Sequence, residues 1–362
     1  MPAITEILRV ARDAGASDVH LTVDSPPFLR LHGRLLPLDR AVREGWLSVN
    51  DTLQQPLSED KLWQLARKML SSDQWNRLKE YGECDLAFAL ESLGRFRVNV
   101  YRQSGRIALA IRLLHSRISS FRELGLPPVL EQLSRKTRGL LLVTGPTGSG
   151  KSTTLAAVID LINSERDCHI ITLEDPVEYV HHHKRSLIHQ REIGQDSLSF
   201  ANALRAALRQ DPDVILVGEM RDVETIGIAI TAAETGHLVL ATLHTSSAAE
   251  TIDRIVDVFP PHQQQQIRLQ LSNTLQGVVA QQLIPRSDQK GRVLAVEVLV
   301  ATPAVRNLIR EGKTYQIFSQ IQTGSRYGMQ SLDNALRALY QAGLITRDEL
   351  ISRASDAAFV QR

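Results

Sequence analysis

Apolar residues recur along this chain in two rhythms that change about a third of the way through. In the first stretch, Ile4, Ile7, Leu8 and Ala11 fall at helical spacing, broken by Glu6 and Arg9, and predict an amphipathic helix over 4–14. Alternating runs predict strands at 18–23 and 28–32, the second closed by Gly33, and three more at 85–90, 95–101 and 107–113, punctuated by Gly94 and by Ser104-Gly105. Between the two sets, Leu62, Leu65, Ala66 and Met69 share one face of a helix expected over 58–70. Strands gathered around one or two helices predict an antiparallel sheet with its helices on one side. The polar stretch from Val42 to Gln55, which carries Trp46, has no period and reads as a loop.

From Ser116 to Pro128 the pattern lapses, and Ser119-Ser120 and Pro127-Pro128 mark a linker. The expected division is therefore a first domain over 1–115, a linker region over 116–135 and a second domain over 136–362. In the second domain strands and helices alternate: strand 140–144, helix 152–163, strand 169–173, helix 199–209, strand 214–217, helix 222–233, strand 238–243, helix 247–256. That order predicts an α/β fold with a mainly parallel sheet covered on both faces. Beyond residue 262 the pattern is largely helical apart from the apolar run at 292–299, which reads as a late strand pair.

Composition narrows the class without naming a function. The 362 residues are 43% hydrophobic and 23% charged, the usage of a globular chain long enough for two cores. A net charge of +2, 5% aromatics and no Lys/Arg run argue against a nucleic-acid partner. Cys84 and Cys168 lie far apart, so there is no disulfide framework, and a reducing cytoplasm is the expected setting. Nowhere do 18 apolar residues run together, so any work at a membrane is expected to go through a partner.

The chemistry collects around Gly145-Pro146-Thr147-Gly148-Ser149-Gly150-Lys151-Ser152-Thr153, which sits between an apolar strand and a helix. Its glycines permit backbone conformations and close approaches that let successive N–H groups point at phosphate oxygens. The N-terminus of the following helix adds positive potential at the same place. Lys151 is spaced to reach outer phosphates and Ser152 to place its hydroxyl on a magnesium ion, so ATP and Mg2+ are the expected cofactors.

In such a sheet, functional groups gather where strands end beside the phosphate loop. Strand 169–173 runs into Glu174, Asp175 and Glu178, the candidate partners of the metal, partly through water. Strand 214–217 runs into Glu219, the candidate for orienting the attacking water, with Gly218 where an aspartate is usual. Strand 238–243 ends in His244, placed to sense a terminal phosphate. Phosphoryl transfer also calls for a mobile cation, and Arg97, Arg102 and Arg112 of the first domain and Arg205 and Arg209, on one face of helix 199–209, are candidates. His181-His182-His183 would point alternately outward if extended, a poor geometry for zinc.

These motifs together resemble the secretion ATPase superfamily. Ile171 to Tyr179 resembles its Asp box, Asp213 to Asp222 its Walker B and Thr235 to Thr245 its His box. Ser186 to Gly194 and Ala304 to Glu311, the latter similar to an AIRNLIRE signature with Val305 for isoleucine, narrow the resemblance to the type IV pilus retraction ATPases, the PilT family. Without the family, Val305, Leu308 and Ile309 are the apolar face of a short helix.

The resemblance implies a RecA-like P-loop core preceded by a smaller PAS-like α+β domain. It also implies a cytoplasmic homohexamer that hydrolyses ATP to retract pili for twitching motility, with an inner-membrane platform protein and an accessory retraction ATPase as partners. Glu174, Glu219 and His244 would be catalytic there, and Arg97, Arg102 and Arg112 would reach bound nucleotide as the ring closes. The alternatives are an accessory PilU-like retraction ATPase, an extension or type II secretion ATPase, and a nucleic-acid translocase on the same core. Relatives of the extension and secretion kind usually carry a four-cysteine zinc module, which this chain lacks.

Overall fold

The first unit begins with α1 (Pro2–Asp13), then β1 (Asp18–Thr22), β2 (Phe28–Leu31), β3 (Arg34–Pro37), α2 (Leu38–Arg43), α3 (Glu59–Met69), α4 (Ser72–Tyr81), β4 (Glu83–Leu90), β5 (Gly94–Gln103) and β6 (Arg106–Leu113). The structure is a computed structural model that describes residues 2–355 except 32, 91, 92, 115, 116, 289 and 290. It divides the chain into two units, Met1–Arg117 and Ile118–Arg362. The boundary expected at 115/116 falls on His115 and Ser116, outside the described residues, as does His32 at the end of the second expected strand.

The strands of the first unit form one sheet in the order β3-β2-β1-β6-β5-β4, antiparallel at every pairing. Alternate residues Val19, Leu21, Phe96, Val98, Val100, Leu109 and Ile111 point to one face and are buried with Ile7 and Leu8 of α1, Leu62 and Ala66 of α3 and Leu78 of α4. Period-2 strands against period-3.6 helices thus give the α+β domain that the alternation predicted. The polar stretch at 42–55 contains the end of α2 and a single 3-10 turn at Asp51–Gln54. Its Trp46 is partly exposed, with Arg34 5.4 Å from the ring centroid and its Nε1 donating to Glu44 Oε2 at 3.2 Å.

In the second unit, α5 (Phe121–Leu124) and α6 (Pro128–Ser134) occupy the segment expected as linker. They bury Phe121, Val129, Leu130 and Leu133 in the unit's own core. There follow β7 (Gly139–Thr144), α7 (Lys151–Glu165), β8 (His169–Glu174), β9 (Leu187–Glu192), α8 (Phe200–Ala207), β10 (Val214–Val217), α9 (Val223–Glu234), β11 (Leu238–Leu243), α10 (Ala248–Asp257) and α11 (Pro261–Thr274). The chain ends with β12 (Leu275–Pro285), β13 (Arg292–Val300), α12 (Pro303–Glu311), α13 (Ile317–Thr323), α14 (Leu332–Gln341) and α15 (Arg347–Arg353).

The sheet order is β13-β12-β7-β11-β10-β8-β9. Every pairing is parallel except that of β12 with β13. Both faces are covered: Leu140 and Leu142 of β7 face α8–α11, while Leu141 and Val143 face α6 and α7. Double coverage explains why these strands read as continuous apolar runs.

Three strands lie outside the sequence expectation, β3 in the first unit and β12 and β9 in the second, and the run at 292–299, expected as a strand pair, is the single strand β13. β12 lies where helix was expected, because α11 passes into it at Thr274–Leu275 with no Gly or Pro between. Its register with β7, not its residue sequence, makes it a strand. β9 is an edge strand, Leu-Ile-His-Gln-Arg-Glu, in which Ile188 is the one buried hydrophobic side chain.

Candidate functional site

The phosphate loop leaves the carboxyl end of β7, between β11 and β12. Gly145 has φ 142, and a Cβ there would stand 2.3 Å from the backbone oxygen of Gln281 on β12 and 2.6 Å from Ser149 Oγ. Only glycine fits this passage. Gly150 is left-handed at φ 89 and forms the N-cap of α7, so the loop's N–H groups and the helix N-terminus share one concavity.

Lys151 is buried and folds back over the loop, its Nζ donating to Gly145 O at 2.7 Å and Pro146 O at 3.1 Å. Burial holds its ammonium below the ordinary lysine range, opposed by the negative charges of Glu219 and Glu178. Thr153 Oγ1 and the Tyr179 hydroxyl are 2.8 Å apart, which ties α7 to the segment after β8, and burial pushes the Tyr179 phenol up. Ser152 sits in the first turn of α7, half-buried beside Lys151.

The strand-end acids take different environments. Glu174 is partly buried, and burial pushes its carboxyl up to about 7 against opposing hydrogen bonds from Thr172 Oγ1 at 2.6 Å, Gln190 Nε2 at 3.2 Å and the Glu178 backbone. Asp175 and Glu178 are exposed. Among the described residues no three His, Cys, Asp or Glu side chains converge into a metal cage. Glu174, Asp175 and Glu178 therefore do not form a joint set of direct ligands.

The histidine run does not gather either: His183 Nδ1 accepts from Ile188 N at 3.1 Å, and burial lowers His181 to about 4.

Glu219 and His244 do come together. His244 Nε2 lies 2.9 Å from Glu219 Oε1, which also accepts from Arg221 Nε. The two residues end β10 and β11, and Thr242 Oγ1 locks those ends by donating to Gly218 O at 2.5 Å. Gly218 has its own reason to lack a side chain, since a Cβ would stand 3.0 Å from Leu173 O and 3.3 Å from Glu174 Cα. The aspartate usual there would need those β8 neighbours to give by a few tenths of an ångström.

The three arginines of the first unit do not share a face. Arg97 and Arg112 are cross-strand partners on the exposed side of the sheet, with Arg112 Nε donating to Asp18 Oδ1 at 2.9 Å. Arg102, five residues on from Arg97 in an unbroken strand, points to the opposite face, its guanidinium 5.8 Å from the Trp63 ring.

Sequence reasoning missed Gln281, whose Nε2 donates to Ser149 O at 2.7 Å in the buried floor of the loop. It lies on the strand that reads as helix, and no local signal marks it.

The family described as type II/IV secretion system protein matches residues 2–350. The chain is 46% identical over 351 residues to the type IV pilus retraction ATPase PilT of Pseudomonas aeruginosa, covering 97% of this chain and 98% of that protein. It is 38% identical over 352 residues to the type IV pilus ATPase PilU of the same organism, covering 97% and 88%. A crystal structure of the pilus retraction motor PilT with bound ADP superposes with a TM-score of 0.89 at 47% identity, covering 98% of each chain. With the family matched over residues 2–350 and near-full-length identity to a retraction ATPase, this chain belongs to the type II/IV secretion system protein family and, within it, to the PilT-like motor ATPases.

Proposed function

We propose that the chain is the motor of type IV pilus retraction, acting in the cytoplasm as a homohexamer on an inner-membrane platform protein. The single observation that carries this is near-end-to-end identity of 46% to a retraction ATPase, against 38% to PilU. A PilU-like accessory role is the second reading, favoured by that same full-length match.

The loop fits a nucleotide on its own chemistry: a passage only glycine can take at 145, a left-handed Gly150 and a buried ammonium at Lys151. In this reading residues 145–153 bind the phosphates, and Lys151 exchanges the carbonyls of Gly145 and Pro146 for phosphate oxygens. Ser152 would hold Mg2+, with Asp175, Glu178 and Glu174 reached through water, a set suited to a cation that keeps much of its hydration shell. The ion would supply charge neutralisation at the phosphates. Glu219 orients the attacking water, and His244, hydrogen-bonded to it, relays the state of the terminal phosphate. Arg97, Arg102 and Arg112 are the cations of the ring; Arg102 must first leave Trp63 to take part.

The test is pilus behaviour in cells lacking the gene and in cells carrying Glu219→Gln. Accumulated surface pili with lost twitching, together with purified variant that binds ATP without turning it over, is the expected result. Bald cells would assign the protein to pilus extension. Loss of twitching only under load, with retraction otherwise intact, would favour the accessory role.

A further inference from the structure

The floor of the phosphate loop is built by a strand that none of the loop's own residues specify. β12 runs parallel to β7, with Ala280 beside Thr144, and so carries Gln281 under the loop. Gln281 is 1% exposed, and its Nε2 donates to Ser149 O at 2.7 Å. Its backbone oxygen lies 2.3 Å from where a Cβ on Gly145 would sit, and its Nε2 lies 3.3 Å from where one on Gly150 would sit. The side-chain amide thus meets the loop at Ser149 and Gly150, and the backbone of the same residue meets it at Gly145. Gln281 Oε1 and Ser149 Oγ are both buried without a hydrogen-bond partner, so this donor bond is the amide's one anchor among the described residues.

A trans peptide is planar, and its C=O and N–H point in opposite directions. Holding the Ser149 carbonyl down toward β12 therefore turns the N–H of Gly150 up, into the concavity at the start of α7. A nest of N–H groups captures an anion only while each is aimed inward. Gly150 has no side chain to fix its own torsion, and at φ 89 the Ser149–Gly150 peptide is free to flip unless something outside the loop prevents it.

We infer that Gln281 is a positioning residue for nucleotide binding: by anchoring the Ser149 carbonyl it aims the Gly150 N–H at the phosphate of a bound nucleoside di- or triphosphate. The inference rests on the nucleotide reading of the loop.

Two variants of near-equal size separate the hydrogen bond from packing. Gln281→Met fills the space and cannot donate. Gln281→Glu presents an acceptor to an acceptor when ionised but regains an O–H donor when protonated, and its burial raises its titration point, as burial does at Glu174. The probe is a fluorescent ADP analogue with Mg2+, titrated at pH 6 and pH 8 alongside thermal melts. Wild type carries whatever pH dependence Glu174 and the nucleotide's own phosphate contribute, so each variant is read as its ratio to wild type at the same pH. Gln281→Met should weaken binding about tenfold at both, a change of about 1.4 kcal/mol. Gln281→Glu should weaken it about tenfold at pH 8 and recover to within about threefold of wild type at pH 6.

Wild-type affinity in both variants, or equal losses in both at both pH values that track lowered melting temperatures, would overturn the inference and leave Gln281 as packing. Lys151→Ala in the same titration separates the two levels: unimpaired binding there would remove the nucleotide reading itself. Lost binding there with wild-type behaviour of Gln281→Glu would remove only the positioning role.

Discussion

Glu174→Gln tests the strand-end chemistry by a stability measurement that needs no nucleotide. In the folded protein the Glu174 carboxyl titrates at about 7 against an ordinary 4.5, because burial penalises its charge more than the hydrogen bonds from Thr172, Gln190 and the Glu178 backbone relieve it. Between those two pH values the folded state holds a proton that the unfolded chain has released. Stability therefore falls as pH rises from 4.5 to 7 and stays lowered above that. The loss amounts to at most about 3 kcal/mol at 1.36 kcal/mol per pH unit, less whatever solvent screening the partial exposure allows.

Glutamine keeps the acceptor oxygen for both partners and cannot ionise. The variant should therefore match wild type near pH 4 and exceed it by up to about 3 kcal/mol at pH 8.5. The assay is urea unfolding at both pH values followed by far-ultraviolet circular dichroism. Tryptophan fluorescence is the wrong probe for this site, since Trp46, Trp63 and Trp75, the chain's three tryptophans, all belong to the first unit. The comparison between proteins cancels every other titrating group. Parallel pH dependences, within about 0.5 kcal/mol, would refute the claim that Glu174 is held neutral by its surroundings.

Gly145→Ala should weaken ADP binding at least a hundredfold, because its Cβ would stand 2.3 Å from a backbone oxygen on β12; affinity within twofold of wild type would show that the loop has room to shift. Ile309→Ala should cost about 2–4 kcal/mol of stability, since this residue of the Ala304–Glu311 segment is fully buried in the core beside α11. A change below about 0.5 kcal/mol in urea unfolding would contradict that packing. Probing the segment's partner role therefore calls for substitutions at exposed positions such as Arg310. Excess EDTA should stop ATP hydrolysis and added Mg2+ restore it; turnover that persists in EDTA would reject the metal's role.

What the sequence determined by itself was whatever local periodicity and loop chemistry can encode. Apolar runs covered on both faces announced the parallel strands, and Gly145, Gly148 and Gly150 before Lys151 announced an anion site, since both signals reside in consecutive residues. The strand ends carrying Glu174, Glu219 and His244 followed from the same alternation.

Only the tertiary structure decided what depends on neighbours distant along the chain. Pairing with β7 made 275–285 a strand and put Gln281 beneath the loop, 132 residues from the carbonyl it holds. Pairing of β5 with β6 set Arg97 beside Arg112, and the packing of α3 on the other face put Trp63 against Arg102. Glu174 and Asp175 are adjacent carboxylates in the sequence, yet one is turned against Gln190 and titrates at about 7 while the other faces solvent. Burial and cross-strand partners set those properties, and neither is a property of the residue or of its immediate neighbours.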